Sequence, residues 1–282
     1  MKTIGIIGLG SIGSRHANNL KALGHDIVAY DPLVTGNGNI QEIWSGGVDA
    51  VIIASPTPTH KRYIDDAIDF DVPCFVEKPI TDCPFELDQR AIENDTVKMV
   101  GYNLRFHSCV LQADKWIMDG HLGNILWGNF VAAQKNTKYK DHVILNWSHE
   151  IDLALYLLGP GAATAAMGND KVADICIEHH SGAYSTVHLD YVTEPEIRQD
   201  IIVGDKATLI MDLVNRQAWL RNNKGTIIDH HEGNDSWDSN YKDEMETFIA
   251  RLDGQETVGC TGAEALEVLK ICLKAKTLTT KN

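Results

Sequence analysis

Thr3-Ile4-Gly5-Ile6-Ile7-Gly8-Leu9-Gly10-Ser11-Ile12-Gly13 opens the chain with an apolar run that ends in three glycines spaced G-x-G-x-x-G. The triplet alone is a weak signal, and its setting decides how it reads. A strand-like run stands before it and a helical stretch to Leu23 follows, so each glycine has a mechanical task. Gly8 makes the tight turn, Gly10 lets the backbone approach a diphosphate, and Gly13 lets helix and strand pack closely. The unpaired amides at the helix start, around Ser11 and Ile12, then face the phosphates. A second apolar run, Ile27 to Tyr30, ends at Asp31. It lies about 20 residues downstream of the motif, where a carboxylate accepts hydrogen bonds from the adenosine ribose and repels a 2′-phosphate. The expected cofactor is NAD, with NADP disfavoured.

Outward from this motif the alternation of strand and helix continues. Asp49 to Ala54, Pro73 to Val76 and Val97 to Val100 read as buried strands. Between them lie helical patterns at Thr59 to Phe70 and Phe85 to Glu93. Gly36-Asn37-Gly38-Asn39 marks a loop beside one short helix. This is the signature of a doubly wound parallel sheet, an α/β Rossmann domain over residues 1–119 that ends in a helix from Cys109 to Met118. Beyond Gly120 strands follow one another: Ile125 to Val131, Val172 to Glu178, Ala183 to Tyr191, Ile197 to Val203, Ala207 to Leu213, Gln217 to Arg221 and Thr226 to His230. Turns such as Ser181-Gly182 and Gly204-Asp205 join several as hairpins. With helices at Ser148 to Leu158, Tyr241 to Leu252 and Gly262 to Lys276, residues 120–282 read as an α+β domain with an open, mostly antiparallel sheet.

Composition bounds the function. The 282 residues suit two modest domains, and 44% hydrophobic with 23% charged residues is the balance of a globular protein. A net charge of -14 would repel a phosphate backbone, which argues against nucleic acid as partner. No apolar run approaches the roughly 20 residues of a membrane span, and no signal-peptide pattern opens the chain. Six scattered cysteines suggest reduced thiols, and the expected location is the cytoplasm. The pairs His179-His180 and His230-His231 point to opposite faces of a strand and cannot readily chelate one ion, so no metal is expected. The acidic stretch Asn234 to Glu246 reads as a solvated loop and helix start.

Four blocks, in order, carry a resemblance: the glycine motif, Ser55-Pro56-Thr57-Pro58-Thr59-His60, Phe75-Val76-Glu77-Lys78-Pro79 and Val100-Gly101-Tyr102-Asn103-Leu104-Arg105-Phe106. Together they resemble the glucose-fructose oxidoreductase and inositol 2-dehydrogenase family (Gfo/Idh/MocA), along nearly the whole chain. A fifth block, Asn146-Trp147-Ser148-His149-Glu150-Ile151-Asp152, is similar to that family's substrate-domain helix. The resemblance implies that Lys78 and His149 are catalytic, and that Ser55, Pro56, Thr57, His60, Glu77, Lys78, Asn103 and Arg105 join Gly8, Gly10, Ser11, Ile12, Gly13 and Asp31 along the cofactor. It implies a small sugar or nucleotide-sugar as substrate, held by Lys78, Arg105, Asn146, Trp147 and His149. It also implies a homodimer or homotetramer formed through the C-terminal sheet.

The chemistry suits those side chains. Oxidising an alcohol needs a group that takes the hydroxyl proton as hydride leaves the same carbon, and a histidine titrates near neutrality. A lysine at the carboxyl end of a strand can hydrogen-bond the reacting oxygen. Arg105 reads equally as a structural clamp, and Trp147 as filling for the core. Where many relatives carry an aspartate before the histidine, this chain has Asn146, which can neither take a proton nor stay anionic. Two other functions fit the same residues: a non-catalytic NAD-binding sensor or scaffold, and a reductase of a non-sugar ketone or imine.

Overall fold

The computed structural model describes residues 1–34, 38–85, 87, 89–136, 142–255 and 257–279. Gly36, Asn37, Glu86 and Asp88, which fall within the expected loop and the expected helix at Phe85 to Glu93, lie outside the described residues. The chain divides into two compact units: Met1–Phe106 with Ser236–Leu266, and His107–Asp235 with Glu267–Asn282.

The first unit begins β1 (Thr3–Ile7), α1 (Ser11–Ala22), β2 (Asp26–Tyr30), α2 (Ile40–Trp44), β3 (Ala50–Ile53), α3 (His60–Asp69), β4 (Cys74–Glu77), α4 (Arg90–Glu93) and β5 (Val97–Gly101). All five strands run parallel in the order β2-β1-β3-β4-β5. Every residue of β3 is buried, as a parallel strand covered on both faces must be. The chain leaves β1 toward one side for β2 and then crosses to the other for β3. That reversal opens a crevice at the carboxyl ends of the strands.

The second unit holds α5 (Ser108–Met118), β6 (Ile125–Ala133), α6 (Val143–Asn146), α7 (His149–Leu158), β7 (Gly161–Gly168), β8 (Val172–His179), β9 (Tyr184–Asp190), β10 (Ile197–Gly204), β11 (Ala207–Asp212), β12 (Gln217–Asn222) and β13 (Ile227–Glu232). Its eight strands lie in the order β13-β12-β11-β10-β6-β9-β8-β7. All neighbours are antiparallel except β6 and β9. Burial alternates strictly along β8 from Ala173 to His179, so one face is packed. α7 lies against β6 and β9, and α5 against β11 and β12. The edge strand β7 is absent from the sequence reading because Gly-Ala-Ala-Thr-Ala-Ala-Met-Gly carries little strand propensity; pairing with β8 holds it.

The chain then returns to the first unit with α8 (Trp237–Leu252), and α9 (Gly262–Thr279) ends it. The sequence boundary at 119/120 therefore differs from the partition at both ends: α5 counts with the second unit and α8 with the first. The stretch Asn234 to Glu246 is a loop and helix start, as expected, and α8 adds a buried side to it. The helix starts at a capping box, in which each serine serves the other's backbone. Ser236 Oγ accepts from the Ser239 amide at 3.2 Å, and Ser239 Oγ accepts from the Ser236 amide at 3.0 Å. From there Asn240, Glu244, Met245 and Phe248 form one buried stripe at helical spacing. Met245 and Phe248 complete the core built by Ile4, Ile6, Leu20, Ile52, Phe75 and Met99, with Phe248 edge-on to Phe75 at 5.6 Å between ring centroids. Asp238 and Glu246 stay exposed, away from that stripe.

In the second unit α5 is capped by a buried histidine. His107 Nδ1 accepts from the Cys109 amide at 3.2 Å while Nε2 donates to the Leu213 carbonyl at 3.2 Å. Only the neutral ring can accept at one nitrogen and donate at the other. Burial, with Arg216 nearby, pulls its pKa down to about 4. The folded state then binds fewer protons than the unfolded chain in this range. Stability is complete above the ordinary value near 6.5 and is lost as pH falls toward 4, by up to about 3 kcal/mol. Denaturant midpoints at pH 7, 5.5 and 4 should fall more steeply for the wild type than for His107→Asn, which keeps the capping oxygen and removes the titration.

Candidate functional site

The predicted residues of the first unit gather on one rim, at the carboxyl ends of its parallel strands. Gly8 has φ +95°, and a Cβ there would lie 2.7 Å from the Ala54 carbonyl oxygen. A Cβ on Gly13 would stand 1.9 Å from the Gly8 carbonyl oxygen, so α1 approaches β1 as closely as a backbone permits. Gly10 differs from both. Its φ of -64° suits any residue, it is exposed, and a Cβ on it would meet nothing within 4 Å. What Gly10 preserves is open space in front of the first turn of α1, beside Ser11 and Ile12 and with no side-chain cap on the helix. A diphosphate fits a helix start of this kind: free amides, positive end of the helix dipole and no side chain in the way.

Asp31 follows β2 and ties the glycine turn in place. Its Oδ2 accepts from the Leu9 amide at 2.7 Å and its Oδ1 from the Leu33 amide at 2.9 Å. A carboxylate oxygen has a second lone pair, so these bonds leave Asp31 able to accept from a ribose hydroxyl.

At the next two strand ends the structure departs from the expected roles. His60 is buried, with Nε2 2.7 Å from the Ser55 carbonyl and Nδ1 2.9 Å from the Pro79 carbonyl. Burial pulls its pKa below the ordinary value against the opposing pull of those two carbonyls. It faces backbone on both sides and leaves no ring nitrogen for a cofactor. Glu77 also turns inward: its Oε1 meets His16 Nε2 at 2.7 Å and its Oε2 accepts from the Lys78 amide at 3.2 Å. Gly101, its partner on β5, makes room, since a Cβ there would lie 2.8 Å from the Glu77 carboxylate. Ser55, Thr57 and Lys78 are half-buried and Pro56 is exposed, on the same rim.

After β5, Asn103 and Arg105 are both buried. Arg105 Nη1 donates to the Gly259 carbonyl at 3.2 Å and to Glu264 Oε1 at 3.3 Å. Burial pushes the Glu264 carboxyl up, but Arg105 and the bonds from Thr261 outweigh it and hold the pKa below the usual carboxylate range. These contacts fit the clamp, not a substrate contact, because the guanidinium is spent inside its own unit.

In the second unit Asn146 ends α6, Trp147 follows it and His149 begins α7; all three are half-buried. Trp147 stands edge-on to the buried Tyr191 at 5.3 Å between centroids. Next to His149 in the chain, Glu150 is buried and its Oε1 accepts from Arg198 Nε at 2.6 Å. Asp200, two residues along β10, is buried as well, and burial together with Glu150 pushes its carboxyl well above the usual range.

Sequence reasoning missed His16 and Glu244. With Glu77 they form a group, among the described residues, whose ligating atoms all lie within 4.8 Å of one another, close enough to hold a cation. His16 sits eight residues after Gly8 on the inner side of α1, which its spacing could have indicated. Nothing local in the sequence signals that Glu244 comes back beneath β4.

Comparison with known proteins agrees with this geometry. Residues 34–102 match the family model described as "Oxidoreductase family, NAD-binding Rossmann fold", and residues 1–53 match the NAD-binding domain of D-isomer specific 2-hydroxyacid dehydrogenases. The chain is 27% identical over 274 residues to the scyllo-inositol 2-dehydrogenase (NAD(+)) of Bacillus subtilis strain 168, covering 79% of this chain and 78% of that one. It spans about half the length of other curated relatives it matches, an inositol 2-dehydrogenase and a D-apiose dehydrogenase among them. UDP-N-acetylglucosamine 3-dehydrogenase GnnA from Acidithiobacillus ferrooxidans shares the fold with a TM-score of 0.82 at 19% identity, over 99% of this chain and 98% of that one. Levoglucosan dehydrogenase in complex with NADH and levoglucosan does so with 0.83 at 17%, over 98% and 97%.

The two inner glycines separate folding from binding. Gly10→Ala should leave the melting temperature unchanged and weaken NAD binding by about tenfold or more, since it fills the open approach to the amides. Gly13→Ala should lower the melting temperature by several degrees, since its Cβ collides with backbone. Thermal unfolding with and without NAD measures both.

Proposed function

We propose that the chain is a Gfo/Idh/MocA oxidoreductase, an NAD-dependent dehydrogenase that acts on a secondary alcohol of a sugar, cyclic polyol or nucleotide-sugar. The observation that carries the proposal is the rim of the first unit, where the open first turn of α1, Asp31 and Lys78 stand at the carboxyl ends of strands in one sheet. NAD over NADP follows from the Asp31 carboxylate, which would repel a 2′-phosphate. The names of the relatives, dehydrogenases of inositol, apiose, levoglucosan and a UDP-sugar, support a polyhydroxylated substrate.

NAD, when bound, accepts hydride from the substrate carbon. The chain's own residues manage the proton and the charge. His149, half-buried at the amino end of α7, takes the hydroxyl proton. Lys78, on the rim of the first unit, is suited to stabilise negative charge on a reacting oxygen. Asn146 orients by hydrogen bonds and contributes no charge, so the acid/base work rests on His149 and Lys78. In the ketone direction His149 returns the proton to the oxygen.

The reading extends to location and assembly. All six cysteines are free, four of them buried, which suits a reducing cytoplasm. Among the described residues no helix is long and apolar enough to cross a membrane. The outer face of the open sheet carries Trp127 and Tyr184, direct partners across β6 and β9 and 45% and 58% exposed. Such a face fits a homo-oligomer.

The test is NADH absorbance with NAD and a panel of inositols, free sugars and nucleotide-sugars. Wild type should turn over at least one of them, and Lys78→Ala should lose about a hundredfold or more in kcat; equal rates for the two proteins would overturn the assignment. Asn146→Asp should move the acid limb of the pH-rate profile, because it introduces a carboxylate beside His149. An unchanged profile would place position 146 outside the proton-transfer network.

A further inference from the structure

Resting on the reading that Lys78 meets the reacting oxygen, we propose that His60 is a positioning residue for Lys78: it fastens the turn that carries the lysine to the turn that follows β3.

The two turns differ in how they are held. The one after β3 is fastened by itself. Ser55 Oγ and Thr59 Oγ1 are 2.7 Å apart, and the Pro56 carbonyl accepts both from Thr59 Oγ1 at 2.7 Å and from the Thr59 amide at 2.8 Å. It continues directly into α3, whose first residue is His60. This turn is an anchor.

The turn after β4 is held through its neighbours on both sides. Pro79 has no amide proton, so this turn can be bonded there only through its carbonyl. On the upstream side Glu77 holds the Lys78 amide and is itself held by His16. On the downstream side the Pro79 carbonyl faces His60 Nδ1 at 2.9 Å. Lys78 thus lies between two tethers, each ending on a buried histidine. Its amine is carried on a long flexible stem, so the backbone from which the stem leaves decides where the charge can reach. Holding such a group within about half an ångström requires neighbours that are themselves locked.

His60 is well placed to be that neighbour. A neutral imidazole has one N–H and donates to one carbonyl only; two donations need the charged ring. We take Nδ1 as the donor, to the Pro79 carbonyl at 2.9 Å; the alternative, donation from Nε2 to the Ser55 carbonyl, is what the variants below separate.

The chemistry of the two short amides gives the test. The amide nitrogen of Asn at position 60 stands close to where Nδ1 stands and keeps a donor for Pro79. That of Gln stands close to where Nε2 stands and keeps one for Ser55. His60→Phe, His60→Asn and His60→Gln would be compared with wild type by the rate at which trinitrobenzenesulfonate labels Lys78, read by mass spectrometry, by NADH affinity from fluorescence and by melting temperature. The expected result is several-fold faster labelling of Lys78 in the Phe and Gln variants, a near-wild-type rate in the Asn variant, and NADH affinity unchanged throughout. Equal labelling in the Asn and Gln variants, or wild-type labelling in a folded Phe variant, would overturn the proposal. If the Phe variant fails to fold, the Asn and Gln pair still decides. A separate arm guards the underlying reading: bound NADH should protect Lys78 of the wild type from the reagent. Failure of that protection would displace Lys78 from the cofactor and leave the tether itself to be judged by the variants.

Discussion

The approach of α1 to β1 at Gly13 and Gly8 is the constraint on which the first unit depends. Because neither residue has a Cβ, the helix starts directly on the end of the strand, and its unpaired amides face outward where Gly10 leaves open space. Asp31 then closes the arrangement from the next strand by accepting from Leu9 inside the turn. One carboxylate thereby shapes the glycine turn and stands ready for a ribose. The geometry of the remaining strand ends follows from the same parallel order, which brings five turns to one side of the sheet.

Burial sorts the histidines by what they can do. His16, His60, His107 and His179 are all buried and each has its partners within its own unit: His16 faces Glu77, His60 stands between two carbonyls, His107 caps a helix, and His179 faces the Gly159 carbonyl and Ser185. Desolvation lowers the pKa of three of them, His60, His107 and His179. His149 stays half-buried at a helix start, the position from which a ring can exchange a proton with a bound molecule. The carboxylates follow a similar logic. Glu77 serves its neighbours' backbone and ring, and Glu150 is engaged by Arg198.

Much of the fold was legible because its signals are periodic. Buried runs such as Ala50–Ile53 and the alternation in Val172–His179 locate strands to within a residue or two. β7 was not legible, because alanine and glycine pack into an edge strand without announcing it. α8 was expected from Tyr241, four residues after its actual start, and its buried side was not anticipated. Counting acids over 234–246 reports composition, whereas Asn240, Glu244, Met245 and Phe248 report position on one side of a helix. At the site, motif spacing placed Glu77, His60 and Arg105 at the right strand ends but held no information on which way each side chain turns. In all three the backbone groups and charges of their own unit won, since a buried polar group must be bonded where it lies.

The return of α8 to the first unit has a consequence for synthesis. A ribosome delivers Ile4, Ile6, Phe75 and Met99 long before it delivers Met245 and Phe248, with all of His107–Asp235 in between. For that interval the newly made nucleotide-binding half shows an uncovered greasy seat to the cell. Neither unit is complete until the carboxyl-terminal helices have been made, because Ser236–Leu266 finishes the first and Glu267–Asn282 the second.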